Sequence, residues 1–424
     1  MQVGVVFPGQ GSQIAGMGED LCKEFPQVRE LYEQASTVLG YDLLAACLNK
    51  HGELNDTRVV QPAVLVHSIA CWHLMQAMLE QPVQLMTGHS LGEISAAVCA
   101  GGLEFSQAVS LIKIRAELMS SCAQDGGMMV VFALGEAPIA EVCAEIARPD
   151  HYIAIANHNA AEQWVLSGHQ KALQEAAVRL ESLGGVVKHL NISVPAHSLL
   201  MAPIVAQFEE AIRQAGPKRC QIPLISCVSN AQYAESEELI SRLGSQLTGC
   251  INWPRTVSTL LEKGIDTIIE LGPKTVLRDL IRLEHPGVCA LSFGTVEEKP
   301  AVQRFLKTAS RRADMLAAAW SDSQVEGFLL SCLRLVVGTP CLKELSPASF
   351  QQTIQIPYQK LISNLDAIRA FSAQCVDITT LSQIAQCTLG MLHAKGFAPR
   401  QYKLLLEQAA AGYGVQDAIA EYLV

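Results

Sequence analysis

The segment Gly88-His89-Ser90-Leu91-Gly92-Glu93 constrains this chain more than any other. It follows a short apolar run at residues 83–86 and opens a stretch, residues 91–100, with helical spacing of its apolar positions. The pattern is therefore strand, sharp turn, helix, with a serine in the Gly-x-Ser-x-Gly frame. Such a turn projects the serine hydroxyl outward and sets a backbone N–H beside it. The flanking glycines allow unusual backbone angles and close approach of helix to strand. Ser90 is thus a candidate nucleophile, and the frame points to acyl transfer or acyl hydrolysis. Taken alone, the same five residues also describe a tight structural turn.

Composition narrows the setting. With 424 residues, 50% of them hydrophobic, the chain can bury a sizeable core and form two or three domains. Its formal net charge of −10 argues against nucleic acid, which selects basic surfaces. The fourteen cysteines include no Cys-x-x-Cys pair, so neither a zinc site nor a redox motif is expected. The sequence opens on an apolar strand at residues 2–7 with no basic leader, and no stretch is long and apolar enough for a membrane span. A cytoplasmic location with free thiols is the expectation.

The order of elements suggests an α/β fold. The strand at residues 2–7 runs into the glycine-rich loop Pro8-Gly9-Gln10-Gly11-Ser12-Gln13, and helical patterns at 17–48 and 61–80 precede the Ser90 turn. Strands alternating with helices predict a parallel sheet covered on both faces, a hydrolase-like large subdomain. From Gly126-Gly127 the rhythm becomes β-α-β-β-α-β, with strands at 128–134, 152–156, 164–167 and 186–192; this predicts an inserted ferredoxin-like small subdomain. The large subdomain resumes with a strand at 224–228 and later strands at 267–271 and 288–293. The domain reading is residues 1–125 and 196–295 for the large subdomain and 126–195 for the small one. Residues 294–300 read as a polar linker. An all-helical C-terminal extension follows at 301–424, broken at Gly338-Thr339-Pro340, Pro347, Pro357 and Pro399 and capped at Ser323-x-x-Glu326.

A serine hydroxyl needs a base. The best placed is His197, in Val194-Pro195-Ala196-His197, where the small subdomain hands back to the large one. Arg115 is the sharper clue. Leu111, Ile112, Leu118 and Met119 flank it at helical spacing, which sets it in an apolar stripe. An inward guanidinium needs an anion. That anion is either a protein carboxylate, Glu93 or Glu117, or the carboxylate of a substrate gripped by charge-assisted bonds. The main-chain N–H groups of Gln10 and Leu91 can face a developing oxyanion. Gln246 and Asn157 read equally well as structural amides. Gly9-Gln10-Gly11 lacks the remaining glycine and the Lys-Ser/Thr ending of a phosphate loop, which argues against nucleotide binding there.

Four segments, in order and at matching spacing, resemble the malonyl-CoA:acyl carrier protein transacylases. They are Val6-Phe7-Pro8-Gly9-Gln10-Gly11-Ser12-Gln13, Gly88-His89-Ser90-Leu91-Gly92-Glu93, Val194-Pro195-Ala196-His197 and Gln246-Leu247-x5-Trp253. The resemblance spans about residues 1–295. It implies that Ser90 becomes malonylated, that His197 is its base, and that a main-chain carbonyl near Gln246 orients the imidazole in place of a carboxylate. It implies an oxyanion hole at Gln10 and Leu91, carboxylate binding by Arg115, and a place for Asn157 in the cleft wall. Malonyl-CoA is then a substrate, no bound cofactor or metal is needed, and the partner is a holo acyl carrier protein carrying phosphopantetheine.

The extension has no counterpart in the short members of that family. Its amphipathic helices are expected to pack on the parent domain, with docking to a synthase as the functional alternative. The extra length leans toward a specialised biosynthetic assembly line, and the resemblance implies transfer in trans for polyketide or fatty acid synthesis. Other acceptors give other readings: the malonyl-loading subunit of a malonate decarboxylase, or a proofreading acyl hydrolase using water. Arg115 disfavours the hydrolase, and an intact Ser90–His197–Arg115 set argues against a non-catalytic scaffold.

Overall fold

The computed structural model describes residues 2–79, 82–122, 125–190, 194–285, 287–300, 302, 303, 306, 322–370, 378–413, 415, 416 and 419. The chain divides into two compact units, Met1–Leu306 and Lys307–Val424.

The first unit is built on a five-stranded parallel sheet. Its strands are β1 (Val3–Phe7), β2 (Leu85–Gly88), β7 (Leu224–Ile225), β9 (Thr267–Leu271) and β10 (Cys289–Phe293), in the order β10-β9-β1-β2-β7. Every residue of β1, β2 and β9 is buried, as expected where helices cover both faces of a parallel sheet. Between β1 and β2 run α1 (Glu19–Glu24), α2 (Pro26–Leu39), α3 (Leu43–Cys47) and α4 (Thr57–Gln76). After β2 come α5 (Leu91–Cys99) and α6 (Phe105–Ser121).

The chain then enters a second sheet: β3 (Gly126–Phe132), α7 (Glu136–Ile146), β4 (Ile153–Ala160), β5 (Gln163–His169), α8 (Gln170–Ser182) and β6 (Val186–His189). These strands pair antiparallel in the order β6-β3-β5-β4, with α7 and α8 packed on the core of Met129, Ile139, Leu166 and Leu173. A fifth strand, β8 (Ile251–Asn252), pairs parallel with β4 although it lies in the chain that has returned to the first sheet. That return runs through α9 (Ala202–Gln214) and α10 (Ser236–Gln246), and α11 (Trp253–Glu262) and α12 (Val276–Glu284) complete the cover.

The structure changes three expectations. Residues 294–300 are not a free linker. Gly294 N–H donates to Glu298 Oε2 at 2.7 Å, Val296 N–H donates to Asp20 Oδ2 at 2.8 Å, and Val302 and Leu306 are buried in the main core. Glu298 folds back to accept from its own turn and from the Ser292 hydroxyl. The expected strand at 224–228 ends at Ile225, because Ser226 starts a turn closed by Asn230 N–H. Of the strand expected at 186–192, Val186–His189 is observed, and Ile192 lies outside the described residues.

The second unit has its own core, including Phe328, Leu329, Leu361, Ile384, Met391 and Leu406. Its helices are α13 (Asp322–Gly338), α14 (Pro347–Phe350), α15 (Ile356–Ala370), α16 (Ile378–Ala394) and α17 (Pro399–Ala411). Pro357 does not break the helix there. The five residues Gln351–Gln355 before it form a π-helical turn, so the backbone continues from α14 into α15. A widened turn relieves the clash of a proline ring with the preceding turn's carbonyl and tolerates its missing N–H. The Ser323 side chain of the expected cap lies outside the described residues. Among the described residues no helix is long and apolar enough to cross a membrane.

Candidate active site

Ser90 and Gln10 lie on loops that leave neighbouring strands at one level. Phe7, the last residue of β1, is in register with Gly88, the last of β2. His89 N–H donates to Phe7 O at 2.9 Å and ties the loops together. Both emerge at the carboxyl end of the parallel sheet, where open α/β folds place their ligands.

Ser90 sits at the start of α5 with φ 54° and ψ −113°, a conformation that costs a non-glycine residue about 1–3 kcal/mol. Close backbone packing holds it there. A Cβ on Gly92 would stand 1.9 Å from Phe7 O, and one on Gly88 2.0 Å from the carbonyl carbon of Gly92. Only glycine lets α5 start this close to β1.

Ser90 Oγ lies 2.7 Å from His197 Nε2. His197 is buried, and its Nδ1 lies 2.8 Å from the main-chain oxygen of Gln246. A carbonyl only accepts, so Nδ1 carries the hydrogen and Nε2 offers its lone pair to the serine. Burial, with the Arg115 charge adding to it, pushes the imidazole pKa down to about 3. The ring is therefore neutral at physiological pH.

Arg115, in the middle of α6, is 2% exposed. Its Nη1 donates to Gln61 Oε1 at 2.6 Å, and its Nη2 lies 3.3 Å from Gln246 Oε1 and 3.4 Å from Ser90 Oγ. Nε has no partner among the described residues. Burial lowers the guanidinium pKa to about 10, which leaves it cationic at neutral pH. Neither acid offered by the sequence pairs with it directly. Glu117 is exposed. Glu93 is fully buried but accepts from Cys227 Sγ at 3.0 Å, Gln246 Nε2 at 2.5 Å and the Tyr233 hydroxyl. Burial also pushes the Glu93 carboxyl pKa up. The direct ion pair fails because Gln246 is interposed, bonding Glu93 through its amide nitrogen and Arg115 through its amide oxygen.

The N–H groups of Gln10 and Leu91 make no hydrogen bond among the described residues, and both residues line a cavity of about 300 Å³. Ser90, Arg115, Asn157 and His197 line it too, with an apolar wall from Met119, Met128 and Val130. Asn157 projects from β4, and its buried Oδ1 has no partner among the described residues. Gln246 stands behind the wall, at the end of α10.

One participant is not legible in the sequence. Gln61 is an amide inside an apolar run of α4, with no spacing signal linking it to Arg115 54 positions away. Glu93 is legible as a buried acid near Arg115, but its role is not: it accepts from the neutral donors Cys227, Tyr233 and Gln246.

A hydroxyl facing a neutral imidazole, two available N–H groups and a cation hydrogen-bonded only to neutral oxygens, gathered at one cavity, can attack an acyl carbonyl, hold the resulting oxyanion and favour an anionic group nearby.

The sequence model of the acyl transferase domain family matches residues 5–286. The chain is 35% identical over 312 residues to the malonyl CoA-acyl carrier protein transacylase of Haemophilus influenzae, covering 71% of this chain and 98% of the relative. The crystal structure of an acyl carrier protein S-malonyltransferase from Vibrio cholerae matches with a TM-score of 0.68 at 34% identity, over 71% of this chain and 100% of the other. A malonyl-transacylase solved in complex with a type II PKS acyl-carrier protein matches with a TM-score of 0.68 at 33% identity, over 70% of this chain and 97% of the other. The family match ends before the second unit begins.

Proposed function

This chain belongs to the acyl transferase domain family and is an acyltransferase; from that premise we propose that it moves a malonyl group from malonyl-CoA to the phosphopantetheine thiol of an acyl carrier protein, through a malonyl ester on Ser90. The observation that carries the reading is Arg115: a buried guanidinium 3.4 Å from Ser90 Oγ, bonded to neutral oxygens and to no carboxylate among the described residues. A desolvated cation in that state favours an anionic ligand.

In this reading His197 Nε2 takes the Ser90 proton as Oγ attacks the thioester carbonyl carbon. The oxyanion accepts from Gln10 and Leu91 N–H, donors of a kind worth about 10²- to 10³-fold each. The C–S bond breaks, and the imidazolium returns its proton to the leaving CoA thiolate. The phosphopantetheine thiol then gives its proton to His197 and attacks the ester carbonyl. Ser90 leaves and regains that proton. The Gln246 carbonyl keeps the imidazole in its reactive tautomer, and Asn157 faces the acyl group from the small-sheet side.

The likeness to a transacylase solved with a type II PKS carrier supports transfer in trans, for polyketide or fatty acid synthesis. The second unit, which has a core of its own, is the part available for docking to a synthase in the same reading.

Intact-protein mass spectrometry tests the core of it. Malonyl-CoA is expected to add one malonyl mass to the wild type and none to Ser90→Ala, and holo carrier is expected to remove it. A wild type that gains no mass, or loses it to water as fast as to carrier, overturns the proposal.

A further inference from the structure

Gln61 is fully buried in α4 and lies outside the cavity wall. Its amide orientation is fixed on every side. Nε2 donates to Thr57 Oγ1 at 3.0 Å and meets Met119 Sδ at 3.6 Å, while Oε1 accepts from Arg115 Nη1 at 2.6 Å. Turning the amide over would set an NH2 group against a guanidinium that only donates.

Thr57 continues the chain. Its hydroxyl accepts from Gln61, so its hydrogen goes to Gln10 Oε1 at 2.9 Å. The donors run in one direction: Arg115 to Gln61, Gln61 to Thr57, Thr57 to the side chain of Gln10. The last member sits on the loop whose N–H faces the reacting carbonyl. Three hydrogen bonds thus join the cation to the oxyanion loop from behind the cavity.

We propose that Thr57 and Gln61 are positioning residues that set the preference for acyl groups ending in a carboxylate, by fastening the Arg115 guanidinium to the loop at Gln10. The inference rests on the malonyl-transfer reading above. Neither residue touches the acyl group. A bonded chain with a single allowed direction holds the cation at one distance from Ser90, and the far end of a malonyl group selects that distance.

The test measures kcat and KM for acylation of Ser90 by malonyl-CoA and by acetyl-CoA in the full chain. Gln61→Glu keeps the side-chain shape and sets a carboxylate against Arg115, where it competes with the substrate's own. The malonyl-CoA kcat/KM is expected to fall about 10²-fold, mainly through KM, with acetyl-CoA changed less than about threefold. Gln61→Met, which introduces no buried charge, is expected to lower the malonyl-to-acetyl ratio about tenfold. Thr57→Val is expected to do the same, and Thr57→Ser, which keeps the hydroxyl, to restore it. Soluble Gln61 variants with an unchanged malonyl-to-acetyl ratio, in an enzyme whose wild type takes malonyl, overturn this inference alone. A wild type that takes no malonyl overturns it together with the reading on which it stands.

Discussion

His197 Nδ1 lies 2.8 Å from the main-chain oxygen of Gln246, so the group that orients this imidazole carries no charge. A carboxylate in that place stabilises the imidazolium. A neutral carbonyl does so less, and burial beside a cation then decides the protonation state.

The pH dependence follows with a definite sign. In the proposed mechanism His197 takes up a proton only when neutral, and burial, with the Arg115 charge adding to it, holds its pKa at about 3 rather than at the ordinary 6.5. It is therefore neutral on both sides of pH 6.5. Single-turnover acylation of Ser90 by malonyl-CoA is expected to stay level from about pH 8 to about pH 5. An acidic limb centred near 6.5 in stopped-flow measurements contradicts the assignment.

Removing the cation separates substrates. Charge-assisted hydrogen bonds contribute about 1.5–3 kcal/mol each, so Arg115→Ala is expected to lower malonyl-CoA kcat/KM by roughly 10²- to 10⁴-fold. Acetyl-CoA has no carboxylate to lose and is expected to change far less. Arg115→Lys supplies a point charge without the planar fork and recovers only part of the loss. Equal losses for the two thioesters exclude a carboxylate-binding role.

The turn itself makes a prediction about stability. In Gly92→Ala the new methyl meets Phe7 O, a backbone atom of a central strand, at 1.9 Å. The helix or the strand must move, at a cost of about 3 kcal/mol or more. Thermal unfolding is expected at least about 6 °C below wild type. A melting temperature within a degree of wild type shows that α5 and β1 are not locked as described.

The sequence reaches the parts of this site that local chain geometry dictates. Ser90 is legible because a strand–turn–helix leaves a mark within ten residues, and Arg115 because a charge in an apolar stripe violates helical patterning. Gln61 is not legible: a neutral amide leaves the pattern intact, and its partner lies on another helix. The same limit applies to β8, whose two residues are too few for any periodicity and whose pairing with β4 is a tertiary event. Pro357 shows the opposite error, since a strong local breaker is absorbed by a π-helical turn that no propensity signals.

That two-residue strand has a mechanical consequence. Asn157 and His158 of the small sheet are paired with Ile251 and Asn252, from the chain that runs on from Gln246 toward the large sheet. The cleft is thus stitched along its back, close to the carbonyl that holds the imidazole. Parting the two sheets at this point would break the β4–β8 pairing. In the malonyl-transfer reading, that pairing keeps the Asn157 wall of the cavity in register with the segment that follows the Gln246 carbonyl.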